Sequence, residues 1–288
     1  MGSVNSNDQH NVLLIGGAMR SGTTVIHRAL CTAENSNPYI SESWFLSDIM
    51  RLYRWNLTRY DVRHADQFGH VKNFRELMWL NIRQYLAIVS VKYNDPEILI
   101  LKHPELTYYF HELARHFQNF RFIVIVRDPR DVIASTIRVA ERHKKNKMLT
   151  PQTRLAGIKQ HCDSYVAYYL DVVKNIEYFG SRLIFVKYED FMNEPDKQLQ
   201  RITQLAGARY DKKRAVEFLP EHASAPNFDK KTREEDPFSG AFWSDSYTKS
   251  ITTDRIGRYK EVLDDMQVNE IEQRLQGFGK RFNYWQLN

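Results

Sequence analysis

The sequence is poor in cysteine, in long apolar runs and in low-complexity stretches, and each shortage closes off a class of protein. Two cysteines, Cys31 and Cys162, in 288 residues cannot build a disulfide framework and have no metal-ligand spacing. Buried thiols in a reducing compartment are the expectation. No apolar run approaches the roughly 20 residues that a bilayer span requires, and the polar N-terminus carries no secretion signal. A cytoplasmic protein with no membrane partner is therefore expected. No linker rich in Gly, Ser or Pro and no internal repeat divides the chain, so one domain over residues 1–288 is expected, with residues 1–10 as a flexible N-terminus. The 41 Lys plus Arg against 35 Asp plus Glu leave a net charge of +6. That suits an anionic ligand, but the charge forms no Lys/Arg stripe of the kind nucleic-acid binding needs. The densest basic run, residues 142–147, reads as a solvated loop after a helix.

What is present is a pattern of strands and helices. Residues 12–15, 98–101, 122–126 and 183–186 are continuously apolar rather than alternating, which marks strands buried on both faces of a parallel sheet. Helical patterns at 24–32, 74–93, 106–117, 129–143 and 155–179 lie between or beside them, and 267–278 reads as a closing helix. The alternation predicts an α/β fold, a parallel β-sheet flanked by helices. The polar stretch 221–254, with scattered aromatics and no period, is long enough for a functional loop such as a lid.

The first strand runs into Gly16-Gly17-Ala18-Met19-Arg20-Ser21-Gly22-Thr23-Thr24. From Gly17 this fits the phosphate-loop pattern G-x-x-x-x-G-K-[ST] except that Thr23 stands where the lysine belongs. Glycines let successive backbone N–H groups point inward, and the following helix adds its positive end. Ser21, Thr23 and Thr24 add hydroxyls, and Arg20 is the nearest cation. In ATP and GTP hydrolysis a multiply charged phosphoryl is clamped by Lys and Mg²⁺. A group that passes through something like neutral SO₃ needs less of that. Its loop must hold one 5′-phosphate, while a single Arg or Lys stabilises charge on the leaving oxygen. The third strand ends Val126-Arg127-Asp128-Pro129, a cation where a metal-binding Asp would be wanted. No metal is expected.

Arg20-Ser21-Gly22-Thr23-Thr24 after a strand resembles the 5′-phosphosulfate loop of sulfotransferases that use 3′-phosphoadenosine 5′-phosphosulfate (PAPS). Val126-Arg127-Asp128-Pro129-Arg130-Asp131-Val132-Ile133-Ala134-Ser135 is similar to that family's 3′-phosphate element, an Arg at a strand end and a Ser eight residues later. The position is sound physically, because open α/β sheets bind ligands at the carboxyl ends of their strands. The resemblance spans residues 12 to about 260 and implies a P-loop-like fold, PAPS as co-substrate and adenosine 3′,5′-bisphosphate (PAP) as product. It further implies roles for Lys102 near the bridging oxygen, Tyr188 near the adenine and Arg258 over the 3′-phosphate.

Sulfuryl transfer needs a base near the acceptor. Glu42, in Ile40-Ser41-Glu42-Ser43-Trp44, stands where tyrosylprotein and heparan sulfotransferases keep a catalytic Glu. His103 follows Lys102 directly, one position short of the small-molecule cytosolic pattern, and in a strand that shift turns it to the opposite face. Glu42 is ranked first, with burial against Trp44 and Phe45 expected to raise its pKa. The acceptor is expected to be a small molecule: an aromatic alcohol, a sugar and a cationic alkaloid such as a guanidinium toxin all remain open. Residues 42–95 and 221–254 are its expected pocket, with Trp44, Trp55, Trp79 and Trp243 as candidate walls. A homodimer is left open. The alternatives are a phosphate-loop kinase, which would want a lysine at position 23, and a non-catalytic sensor of adenosine 3′,5′-bisphosphate.

Overall fold

The four apolar runs fold as four parallel strands, β1 (Asn11–Gly17), β2 (Ile98–Lys102), β3 (Phe120–Val126) and β4 (Leu183–Lys187), in the order β2-β1-β3-β4. The computed structural model describes residues 10–210, Ala215 and residues 251–285. Successive residues of each strand point to opposite faces, and both faces are apolar. Val12, Leu14, Leu99, Leu101, Phe122 and Val124 enter one core, and Leu13, Ile15, Ile98, Ile100, Ile123 and Ile125 enter the other. That two-sided burial is why the runs lack alternation.

Helix α1 (Thr23–Leu30) follows β1. Next come α2 (Trp44–Leu57), the single turns α3 (Tyr60–Arg63) and α4 (Ala65–Phe68), and the long α5 (Val71–Lys92). Helix α6 (Phe110–His116) leads to β3, α7 (Pro129–Lys145) leaves it, and α8 (Gly157–Lys174) precedes β4. Helices α9 (Tyr188–Asn193) and α10 (Pro195–Ala206) follow β4, and α11 (Asp265–Arg274) and α12 (Gln276–Phe282) come last. One core takes in α1, α9 and α10, and the other α2, α5, α6, α7, α8 and α11.

Several expected boundaries differ. The pattern at 106–117 splits into a 3₁₀ turn, Pro104–Tyr109, and α6. Helix α8 ends at Lys174, and two further 3₁₀ turns carry the chain to β4. The closing helix is two helices, α11 and α12. Most of the stretch 221–254, including Trp243, lies outside the described residues.

The sheet order reverses between β1 and β3, since β1 pairs with β2 on one side and β3 on the other. Such a switch point opens a crevice at the carboxyl ends of the strands. The register brings the strand tips to one edge: Ile15 lies opposite Lys102, Gly17 opposite Ile125, and Val126 opposite Lys187. The phosphate-type loop, Arg127, Lys102 and Tyr188 thus share that edge.

β2 is an edge strand, and residues 35–43 cover it. The Asn37 side chain imitates a neighbouring strand: its Oδ1 accepts from Ile100 N–H at 2.6 Å and its Nδ2 donates to Ile100 C=O at 3.2 Å. Ile98 N–H donates to the Asn35 carbonyl at 3.1 Å, and Ser43 N–H to the Lys102 carbonyl at 2.8 Å. This pairing delivers Glu42 to the tip of β2. Asn37→Ala strands the buried Ile100 N–H, while the Ile100 carbonyl keeps the His27 ring at 3.3 Å, and is expected to cost about 1–3 kcal/mol. The check is a lower denaturation midpoint with an unchanged slope, and an unchanged midpoint would show the edge needs no such cover.

Candidate active site

The loop after β1 is held from behind by side chains. Gly17 N–H donates to Thr107 Oγ1 at 2.6 Å, and Ala18 N–H to the Tyr169 hydroxyl at 3.2 Å. Glycine is required where the loop is tight: a Cβ at Gly16 would meet Thr107 Oγ1 at 2.3 Å, and one at Gly22 the Tyr188 ring at 2.3 Å. Arg20 adopts φ 70°, a left-handed conformation uncommon for a residue with a side chain. Gly22 caps α1 without a side-chain hydrogen bond, so the first amides of the helix remain available to an anion. Ser21 is fully buried in this loop, and Thr23 nearly so.

A second cradle forms at the tip of β3, and the two are joined. Arg20 Nε donates to Ser135 Oγ at 3.1 Å, while Arg127 Nη1 donates to the Arg20 carbonyl at 3.3 Å. Arg127 Nη2 donates to the Arg255 carbonyl and lies 3.4 Å from Asp131 Oδ2. The guanidinium rests 4.4 Å over the Tyr188 ring, and Tyr165 donates to the Arg127 carbonyl at 2.7 Å. Among the described residues Arg127 Nε, which is buried, has no hydrogen-bond partner, the state expected of a donor waiting for an acceptor. Tyr188 is 5% exposed and forms the floor under Arg127 and Gly22. Arg258 makes two bonds to Glu261, at 2.9 and 3.0 Å, from the segment that crosses Arg127.

The third group sits at the tip of β2. Lys102 Nζ donates to Glu42 Oε1 and, at 3.2 Å, to Thr24 Oγ1, so it links Glu42 to the phosphate-type loop. His103 Nε2 is 3.7 Å from Glu42 Oε2. The strand ends at Lys102, so alternation no longer separates the two side chains, and both reach one carboxylate. This corrects the expected opposite faces. His103 Nδ1 accepts from Glu105 N–H at 3.2 Å, which leaves the proton of a neutral ring on Nε2. Burial lowers the His103 pKa, against the opposing pull of Glu42 and Glu105.

The expected direction for Glu42 is also reversed. Burial pushes its carboxyl up, but the Lys102 and His103 charges and the Lys102 hydrogen bond outweigh it and hold the pKa below its ordinary value. Trp44 and Phe45 do not form the expected apolar wall, being 51% and 60% exposed. Trp44 instead meets the His103 ring edge-on at 4.3 Å, and Phe45 packs on Tyr85 at 5.5 Å. Of the other candidate walls, Trp79 is core, against Tyr53 and His116, and Trp55 is exposed under Arg59.

Residues 13–212 match the model of the sulfotransferase family. The chain belongs to the sulfotransferase family. Among curated sulfotransferases, omega-hydroxy-beta-dihydromenaquinone-9 sulfotransferase Stf3 of Mycobacterium tuberculosis (strain CDC 1551 / Oshkosh) is 28% identical over 143 residues, 46% of this chain. The match spans about a third of that relative's length, 34%. Among solved structures, the sulfotransferase domain from the curacin biosynthetic pathway superposes with TM-score 0.58 at 14% identity, covering 93% of this chain and 97% of that one. The sulfotransferase domain from the Synechococcus PCC 7002 olefin synthase gives TM-score 0.51 at 14% identity, over 93% and 96%. Both likenesses show that this chain shares their fold.

Among the described residues, His111, Glu112 and Asp171 place donor atoms of metal-binding type within 4.8 Å of one another. They lie on α6 and α8 rather than at the strand tips, and Arg54 already bonds Glu112 at 3.0 Å. No described helix is long and apolar enough to cross a membrane. Thr107, Tyr169, Tyr165 and Asp131 are the site residues that sequence reasoning missed.

Proposed function

We propose that this protein transfers a sulfuryl group from PAPS to a hydroxyl or amine of a small-molecule acceptor and releases adenosine 3′,5′-bisphosphate. The observation that carries this reading is the joining of two anion cradles across the β1–β3 switch point, through Arg20 to Ser135 and Arg127 to the Arg20 carbonyl. One phosphate per cradle matches a doubly phosphorylated adenosine. The amides of the loop with Ser21, Gly22, Thr23 and Thr24 take the 5′ end. Arg127, Ser135, Arg20 and Arg258 take the 3′-phosphate, with Tyr188 beneath.

The bond between sulfur and the bridging phosphate oxygen breaks as the acceptor oxygen or nitrogen bonds to sulfur. Lys102 stabilises the charge left on the phosphate oxygen, and its contact with Thr24 already aims it at the loop. Glu42 takes the acceptor's proton, since Lys102 keeps it ionised. His103 is a poor base here, because its Nε2, the atom facing Glu42, carries the proton. Lys102, not His103, makes the hydrogen bond that holds the carboxylate.

A thermal-shift comparison tests the reading. A ligand that binds only the folded state stabilises it by about 2.7 kcal/mol at a hundred times its Kd. Adenosine 3′,5′-bisphosphate is expected to raise the melting temperature well above AMP at equal concentration, with ATP·Mg no better than AMP. A preference for ATP·Mg would indicate a kinase, and tight bisphosphate binding with no sulfated product from any acceptor a sensor.

A further inference from the structure

We propose that Asp131 is a positioning residue that assembles the 3′-phosphate cradle by latching residues 255–259 onto Arg127. The inference rests on the PAPS reading above. Asp131 stands in the first turn of α7 and is 3% exposed. A carboxylate so deeply buried must have its oxygens satisfied, and those of Asp131 are. Oδ1 accepts from Tyr259 N–H at 2.9 Å, and Oδ2 from Gly257 N–H at 2.9 Å. Oδ2 also meets Arg127 Nη2 at 3.4 Å.

The same Nη2 donates to the Arg255 carbonyl. Asp131 and Arg127 therefore grip one short segment from both sides, Asp131 through its amides and Arg127 through its carbonyl. Gly257, at φ 74°, makes the turn that presents those amides to one carboxylate. Arg258 lies between the two latched residues with its guanidinium on Glu261, so the latch fixes the segment from which it would reach the 3′-phosphate. The carboxylate also restrains Arg127, whose guanidinium among the described residues is otherwise held by the Tyr188 ring and the Arg20 and Arg255 carbonyls. Asp131 touches no ligand in this arrangement. It sets the geometry of two residues that do.

Asp131→Asn keeps the shape but turns an amide N–H₂ toward N–H donors that need an acceptor. In the full chain, its affinity for adenosine 3′,5′-bisphosphate, read by calorimetry, is expected to fall about 10- to 30-fold, the loss of roughly one charge-assisted hydrogen bond. Its affinity for AMP should change less than about 3-fold, within the effect of one weak neutral contact. KM for PAPS should rise accordingly, with kcat nearly unchanged.

Gly257→Ala gives a second route to the same readout should Asp131→Asn fail to fold. An added Cβ there meets nothing within 4 Å, so only the positive φ is penalised. The same selective loss is expected, smaller in size. A variant that weakens both nucleotides equally, or neither, overturns the latch. A wild type that fails to prefer adenosine 3′,5′-bisphosphate over AMP overturns the donor reading instead.

Discussion

Glu42→Gln is expected to lower turnover about 10²- to 10⁴-fold, the usual contribution of a positioned proton acceptor, while adenosine 3′,5′-bisphosphate binds as before. The amide preserves the shape beside Lys102 and His103 but cannot take a proton. The pH profile adds a second readout. kcat/KM reports groups of the free enzyme, and there Lys102 holds Glu42 below its ordinary 4.5 despite burial. A base with a lowered pKa is ionised at neutrality and is lost only when the pH falls through that lowered value. The acid limb assigned to Glu42 is therefore expected below the ordinary carboxyl range, with none near the ordinary imidazole value of 6.5. Wild-type turnover in Glu42→Gln, with the acid limb retained, would transfer the role to His103, whose own pKa burial lowers.

The low pKa also says something about timing. In the free protein Lys102 is shared between Glu42 and Thr24. Under the PAPS reading, a lysine drawn toward a negative phosphate oxygen would shield Glu42 less, and burial would then push the carboxyl back up. Glu42 would thus become a better proton acceptor once the donor is in place. The two residues act as one unit, so their single-site effects will not add.

The sheet was legible because burial on both faces writes an unbroken apolar run, and all four runs lie inside observed strands. The loop and Arg127 were legible for a related reason. Glycine spacing and a cation at a strand end are local signals, and the fold sets those strand ends side by side. The supports were not legible. Thr107 and Tyr169 reach the loop from 90 and 151 positions away, and nothing in their neighbours marks them. Thr107 also explains a misplaced helix boundary. It stands in the 3₁₀ turn ahead of α6, with its hydroxyl bonded to the Pro104 carbonyl and to Gly17 N–H.

Glu42 shows how a local inference fails. Trp44 and Phe45 suggested an apolar wall, but α2 begins at Trp44 and leaves both rings more than half exposed. What decides the carboxyl's state is a lysine 60 residues on. The edge of β2 is a similar case. Asn37 pairs with Ile100 as a strand would, a contact across 63 positions that no local pattern marks, and that pairing brings Glu42 within reach of Lys102.

Arg127→Ala is expected to weaken adenosine 3′,5′-bisphosphate about 100-fold or more while leaving AMP within a few-fold. Each charge-assisted hydrogen bond from a guanidinium is worth about 1.5–3 kcal/mol, or roughly 10- to 100-fold in Kd, and a fork can supply more than one. The effect should exceed that of Asp131→Asn, because the cation itself is lost. Arg127 also ties down the Arg20 and Arg255 carbonyls, so a general loosening of the site has to be told apart from the loss of a phosphate contact. AMP makes that distinction, since it uses the first loop but has no 3′-phosphate. Arg127→Lys makes it again: it keeps the charge without the planar fork and should fall between wild type and Arg127→Ala for the bisphosphate alone. Equal losses for both nucleotides would mean that Arg127 merely braces the two loops, and the 3′-phosphate would then need another partner at the β3 tip.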